Sequence, residues 1–388
     1  MKIVIVTDAI FGNKNFGGHE TRIMELFSKL AEYNDVHLVQ ISPSTNVWKL
    51  DNKITVHDLS PLFGRLGKLL YSKQLFLSRY FFYLKLNKFV NKLNPDIVDF
   101  NCWAYPIFKK KYLLIASSSI MSDNPNASSF ISRLVKLFDF FLLKYKIKKS
   151  DYVIFFSKQN EEKYSPIANK YSKKYVYIPN GIDANVFFPK NKETMRKKHN
   201  LPLDKKIIMY SSRLVYYKRP YDYLAALKLL PNEYYGIIAG DGEIANDIKQ
   251  WIIKNKMEDK VIMVGKLDKY ELAEMYSASD MTIYPTEFEV QPLVPQEAMA
   301  CGSIPIVSNT LGNNEIVLDK ENGLLFELGN INDLVEKIQL ISNNNEMQEY
   351  LIKGGLEYMK NRTWINTAKK TEEIYKKVLM DKQNKNTV

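Results

Sequence analysis

The residues best suited to chemistry lie in the second half of the chain. Glu289 and Glu297 stand eight apart in MTIYPTEFEVQPLVPQEAMACGSIPIVS, residues 281–308. An ionised carboxylate accepts two hydroxyls well, and a ribose or hexose presents such pairs. Arg213 and Lys218, five apart, are of the types that meet phosphate. A guanidinium forks onto phosphate oxygens and an ammonium adds a point charge. The spacings alone fit a plainer alternative equally well: a solvated loop acid, a helix-start acid and a solvated pair of cations.

The elements around these residues favour a site. Met281 to Tyr284 reads as a buried strand and Ile304 to Ser308 as the next one. Between them Pro295 suits a first helical turn, Glu297 to Ala300 suit a helix, and Gly302 is placed to end it. The positive end of that helix would keep Glu297 ionised and accepting. Ligands of βαβ folds sit at the carboxyl ends of strands, beside helix N-termini that favour anions. Ile207 to Tyr210 opens the same strand–helix series and is followed by Ser212-Arg213-Leu214 and Lys218. Gly236 to Ala239 and Val261 to Gly265 read as further strands, the first ending in Gly240-Asp241-Gly242, and a helix is expected over Leu267 to Ser277.

The first half repeats the pattern. Lys2 to Thr7 and Val36 to Ile41 read as parallel strands about the helix ETRIMELFSKLAEY. The loop before that helix holds Gly17 and Gly18, which lack a Cβ and so let a phosphate or sugar approach the backbone. His19 follows, either a ligand contact or a surface histidine. Asp96 to Phe100, Tyr112 to Ser117 and Tyr152 to Ser157 complete the strands. Asn180-Gly181-Ile182-Asp183 is a turn signal, and Phe188 to Leu203 reads as a charged linker.

These motifs resemble the GT4 family of retaining glycosyltransferases. Glu289, Pro292, Leu293, Glu297, Ala298, Met299, Ala300, Cys301 and Gly302 fall in register with its Glu-x7-Glu signature. Gly17-Gly18-His19-Glu20, the 179–183 turn, and Ser212-Arg213-Leu214 with Lys218 match further family positions, as do Gly312 to Glu315 and Asn322-Gly323. Val290 and Gln291 depart from the usual Gly and Phe. Ser117, Ser118 and Ser119 stand where many members carry a histidine. The resemblance implies the GT-B fold: α/β, two Rossmann-like parallel-sheet domains facing each other across a cleft. The expected division is 1–185 and 186–365, with a helix of about 366–388 crossing back. It implies catalytic roles for Arg213, Lys218 and Glu289. It implies substrate binding by Gly17, Gly18, His19, Ser212, Gly240, Gln291, Leu293, Val294 and Glu297. The substrate would be a nucleotide-sugar such as a UDP- or GDP-sugar, with no other cofactor and no catalytic metal.

Composition narrows the setting. With 46% hydrophobic and 25% charged residues the chain is an ordinary globular one. Its two cysteines, Cys102 and Cys301, make no disulfide framework, and its four histidines are scattered. The opening MKIVIVTDAI is too short and strand-like for a signal peptide, and no apolar run is long enough to span a membrane. Residues 1–190 hold 28 Lys+Arg and 15 Asp+Glu, a balance of +13, so the remaining 198 carry −1 of the total +12. No acid occurs between Asp58 and Asp96, where Arg65, Lys68, Lys73, Arg79, Lys85, Lys88 and Lys92 alternate with Leu, Phe and Tyr. Phe130 to Lys149 is similar. These stretches fit either ordinary amphipathic helices or a surface that rests on anionic lipid.

The expected function is therefore transfer of a sugar to a glycan or lipid-linked acceptor in cell-surface polysaccharide or lipopolysaccharide synthesis. The protein would be cytoplasmic and peripheral on the inner face of the membrane, without nucleic-acid partners. The alternatives are a non-catalytic GT-B partner subunit and a nucleotide-sugar epimerase of the same fold.

Overall fold

The computed structural model describes residues 1–7, 11, 17–42, 45–59, 76–101, 113–118 and 130–386. Two compact units share the chain: Met1–Asn180 with Trp364–Val388, and Gly181–Thr363. The division falls five residues before the expected one, at the Asn180-Gly181 turn. The chain is back in the first unit from Trp364.

The first unit is built on eight strands. They are β1 (Lys2–Thr7), β2 (Asp35–Ile41), β3 (Asn46–Leu50), β4 (Ile54–Leu59), β5 (Ile97–Asn101), β6 (Leu113–Ser118), β7 (Tyr152–Phe155) and β8 (Lys174–Tyr177). Their order is β3-β4-β2-β1-β5-β6-β7-β8. All pairs are parallel except β3 with β4. Ile3 to Val6 are buried without interruption, as a strand covered on both faces requires. The helix Gly18–Leu30 turns Ile23, Leu26, Phe27 and Leu30 inward. The C-terminal helix Trp364–Asn386 adds buried Trp364, Ala368, Tyr375 and Val378.

The second unit holds β9 (Lys206–Ser211), β10 (Tyr234–Ala239), β11 (Val261–Gly265), β12 (Met281–Tyr284), β13 (Ile304–Ser308) and β14 (Leu324–Phe326). The order β11-β10-β9-β12-β13-β14, parallel throughout, is doubly wound. Its order reverses between β9 and β12, and ligands of such sheets sit at that reversal, beyond the carboxyl ends of the strands. The stretch expected as a linker instead contains the helix Lys192–Lys198. Asn191 caps it, its side chain accepting from the Thr194 N–H at 2.9 Å. Arg196 is 6% exposed and joins it to the unit through Asp280 at 2.8 Å. The helix expected from Leu267 begins at Lys269, because Asp268 accepts from the N–H groups of Tyr270 and Glu271.

Candidate functional site

Lys218 and Glu289 reach each other from the two strands that flank the reversal. Lys218 lies in a 3-10 turn, Tyr216–Lys218, after β9; Glu289 lies in the loop after β12. Lys218 is 8% exposed, and its ammonium bonds to Glu289 Oε1 and, at 2.9 Å, to the Tyr284 hydroxyl. Tyr284 in turn donates to Glu289 Oε1 at 2.8 Å. Two rings flank the ammonium, Tyr217 at 5.2 Å and Tyr284 at 5.1 Å from their centroids. Burial, then the charge of Glu289, pushes the Tyr284 phenol well above its ordinary range, so it stays a donor at neutral pH.

Backbone geometry fixes both loops. Arg219, directly after Lys218, is left-handed at φ 51°, a conformation unusual for its type. It is held there by Asp222 at 2.7 and 3.1 Å, and by Glu287 at 3.4 Å on the opposite loop. Leu311 O accepts from the Glu289 N–H at 3.1 Å. Gly312, at φ 84°, packs so closely that a Cβ there would lie 2.3 Å from Glu289 O. Buried Asn313 completes the support, its amide donating to Ser308 O at 3.2 Å and Ser308 Oγ at 3.0 Å.

The other expected residues of this unit lie on the segments that follow β9, β10 and β12. Arg213 is exposed and donates to the Tyr217 hydroxyl at 3.0 Å. Tyr217 itself stacks on Phe288, centroids 5.2 Å apart and planes 19° apart. The Ser212 N–H bonds back to Ala239 O at 3.1 Å. Gly240 sits at φ 145° with its Cβ position 1.9 Å from Ser212 O, so only glycine fits. Gln291 is buried, and Leu293 precedes the helix Val294–Ala300, whose first N–H groups lack intrahelical partners. Glu297 lies in that first turn and accepts from the Tyr276 hydroxyl at 3.4 Å. Gly302, at φ 80°, follows the helix end as expected.

Gly17, Gly18 and His19 belong to the first unit. They stand beyond β1, next to that sheet's own reversal between β1 and β5. His19 Nε2 lies 3.2 Å from the carbonyl of Asn101, the last residue of β5. Gly17 is at φ −99° and Gly18 has open space where a Cβ would be. Neither position therefore demands glycine for its conformation. Glu20 accepts from the Gly17 N–H at 2.9 Å and caps the helix. Ser117 is a core residue: 4% exposed, it donates to Asp99 at 3.0 Å. Ser119 and the Ser118 side chain lie outside the described residues.

Sequence reasoning missed Tyr284, Arg219 and Tyr217. Tyr284 was hidden because a buried tyrosine in an apolar strand reads as core. Gly312 and Asn313 carried a signal, as two members of the Gly-Asn-Asn-Glu loop.

The two sheets, parallel except for the edge strand β3 and each with candidate residues at its reversal, define an α/β protein of the GT-B type. Residues 191–358 match the family of glycosyl transferases group 1. It is 29% identical over 180 residues to the UDP-Gal:alpha-D-GlcNAc-diphosphoundecaprenol alpha-1,3-galactosyltransferase of Escherichia coli, covering 44% of this chain and 46% of that protein. It is 27% identical over 250 residues to the N-acetyl-alpha-D-glucosaminyl L-malate synthase of Bacillus anthracis, covering 63% and 64%. The chain thus spans about half the length of the curated relatives it matches. Sucrose-phosphate synthase from Thermosynechococcus elongatus shares the fold, with a TM-score of 0.81 at 20% identity over 98% of this chain and 99% of that one.

Proposed function

We propose that the protein is a retaining glycosyltransferase that moves a sugar from a nucleotide-sugar to an acceptor hydroxyl. The observation that carries this reading is the meeting of Lys218 and Glu289 at the reversal of the second sheet, with exposed Arg213 beside them. Arg213 and Lys218 hold the diphosphate and stabilise the charge that develops on it as the glycosidic bond breaks. Glu289 accepts from hydroxyls of the donor sugar and Glu297 from those of the ribose. Backbone groups around Gly240, Gln291, Leu293 and Val294 complete the donor pocket, and Gly17, Gly18 and His19 of the first unit bind substrate. The acceptor oxygen attacks the face that the diphosphate leaves, so the anomeric configuration is kept. With two cations at the diphosphate, the reaction needs no metal.

The acceptor we propose is a glycan or lipid-linked intermediate of cell-surface polysaccharide synthesis, met at the inner face of the membrane. Support comes from the basic first unit and from the helix Phe130–Lys149, where Phe141 is 58% exposed beside Lys144 and exposed Lys148 and Lys149. Among the described residues no helix is long and apolar enough to cross a membrane. Incubating the protein with a panel of UDP- and GDP-sugars and polyprenyl-diphosphate-sugar acceptors, with and without EDTA, tests the reading. Transfer that survives EDTA with retained anomeric configuration is expected. Donor consumption without transfer would favour an epimerase, and neither would favour a non-catalytic subunit.

A further inference from the structure

We infer that Tyr284 is a positioning residue of the donor site, holding Glu289 and Lys218 in a fixed pair before any donor arrives. The inference rests on the transferase reading above. Tyr284 is 3% exposed and ends β12, so its ring is anchored in the core while its hydroxyl reaches the site. That hydroxyl accepts from Lys218 at 2.9 Å and donates to Glu289 Oε1 at 2.8 Å, and Lys218 bonds to the same oxygen. The three groups close a triangle.

The inventory of donors and acceptors gives the triangle its consequence. A phenol has one proton, and here it is committed to Glu289. An ammonium has three, of which two are committed, which leaves one for a phosphate oxygen. Both protein donors load Oε1, so Oε2 is the oxygen turned to a sugar's hydroxyls. A loop glutamate would otherwise sample several rotamers, and fixing it only on binding would cost entropy at that step. The Tyr284 hydroxyl fixes it beforehand. Phenylalanine at this position would keep the ring and the ion pair and remove only the hydroxyl that orients them.

Two measurements test this. Compare kcat/KM for wild type, Tyr284→Phe, Glu289→Gln and the double variant, with thermal unfolding checked for each. Tyr284→Phe should lower kcat/KM about tenfold in the wild-type background and less than about threefold in the Glu289→Gln background, because the hydroxyl acts through the carboxylate. Equal losses in both backgrounds, or none in either, would overturn the proposal. The second measurement needs no donor: trace acetylation with acetic anhydride, with Lys218 followed by mass spectrometry. Its rate should rise several-fold in Tyr284→Phe while exposed Lys197 and Lys198 are unchanged. An unchanged Lys218 rate would show that the hydroxyl does not hold it. If wild type transfers from no donor, the transferase reading fails, and the acetylation rate still decides whether Tyr284 holds the lysine.

Discussion

Glu289 and Glu297 carry the same group in different surroundings, and their loss should be felt differently. Glu289 is tied to a cation and a phenol at the reacting end of the proposed donor, whereas Glu297 receives the Tyr276 hydroxyl on a helix start. If Glu297 holds ribose hydroxyls, it binds ground state and transition state alike. Glu297→Ala should then raise the donor KM about tenfold and leave kcat within about threefold. A fall in kcat as large as the rise in KM would place Glu297 nearer the bond that breaks. Both glutamates and both cations were legible from residue type and spacing once the family pattern was met. Tyr284 and Arg219 were not. One is an aromatic in an apolar strand, and the other combines a left-handed backbone with a contact to Glu287, 68 residues on, that only the fold assembles.

At the scale of elements, strands β2 and β4 carry a titratable pair. His37 Nδ1 and His57 Nε2 are 2.9 Å apart, and the His57 ring packs on Phe89. Burial, then the charges of His37 and Lys49, lowers the His57 pKa from 6.5 to about 4. A histidine with a depressed folded-state pKa adds stability above its unfolded value, and that stability is lost as pH falls through the folded one. The window is therefore pH 6.5 to 4, with stability falling as the pH drops through it. In His57→Gln the fall in Tm across this window should be visibly smaller than in wild type; parallel curves would show that His57 does not take up a proton on unfolding. Strand β4 and its antiparallel neighbour β3 were not expected from the sequence. Asn46, Val47 and Lys49 of β3 are exposed, so no apolar run marked it. The runs that were read correctly, β1, β12 and β13, are buried on both faces and nearly all apolar. The helix Lys192–Lys198 was missed because six of its seven residues are polar, and its docking rests on Arg196 and Asp280.

At the scale of the whole molecule, the charge is divided as the sequence divides it, but not every lysine is available. Lys146 of the Phe130–Lys149 helix is 3% exposed and donates to Ser117 O at 2.9 Å. Lys88 and Lys92 are exposed on a helix whose Leu86 and Val90 are in the core. Arg65, Lys68 and Lys73 lie outside the described residues, as does the Arg79 side chain. Each exposed cation near an anionic bilayer contributes about 1 kcal/mol. Changing Lys88, Lys92, Lys148 and Lys149 to Glu should therefore abolish co-sedimentation with anionic vesicles at low salt; wild type that ignores such vesicles would make a soluble acceptor the better choice. The first unit was the less legible half. Its buried Asp99 receives the Tyr375 hydroxyl at 2.5 Å from a helix 276 residues away in the chain, a pairing that no local pattern announces. The central claim is that a diphosphate sits on Arg213 and Lys218, and calorimetric titration with UDP and GDP tests it directly. Wild type should bind at least one of the two, and Arg213→Ala/Lys218→Ala, with circular dichroism unchanged, should bind it about a hundredfold more weakly. Equal affinity in the two proteins, or no binding by wild type to either, would contradict the account.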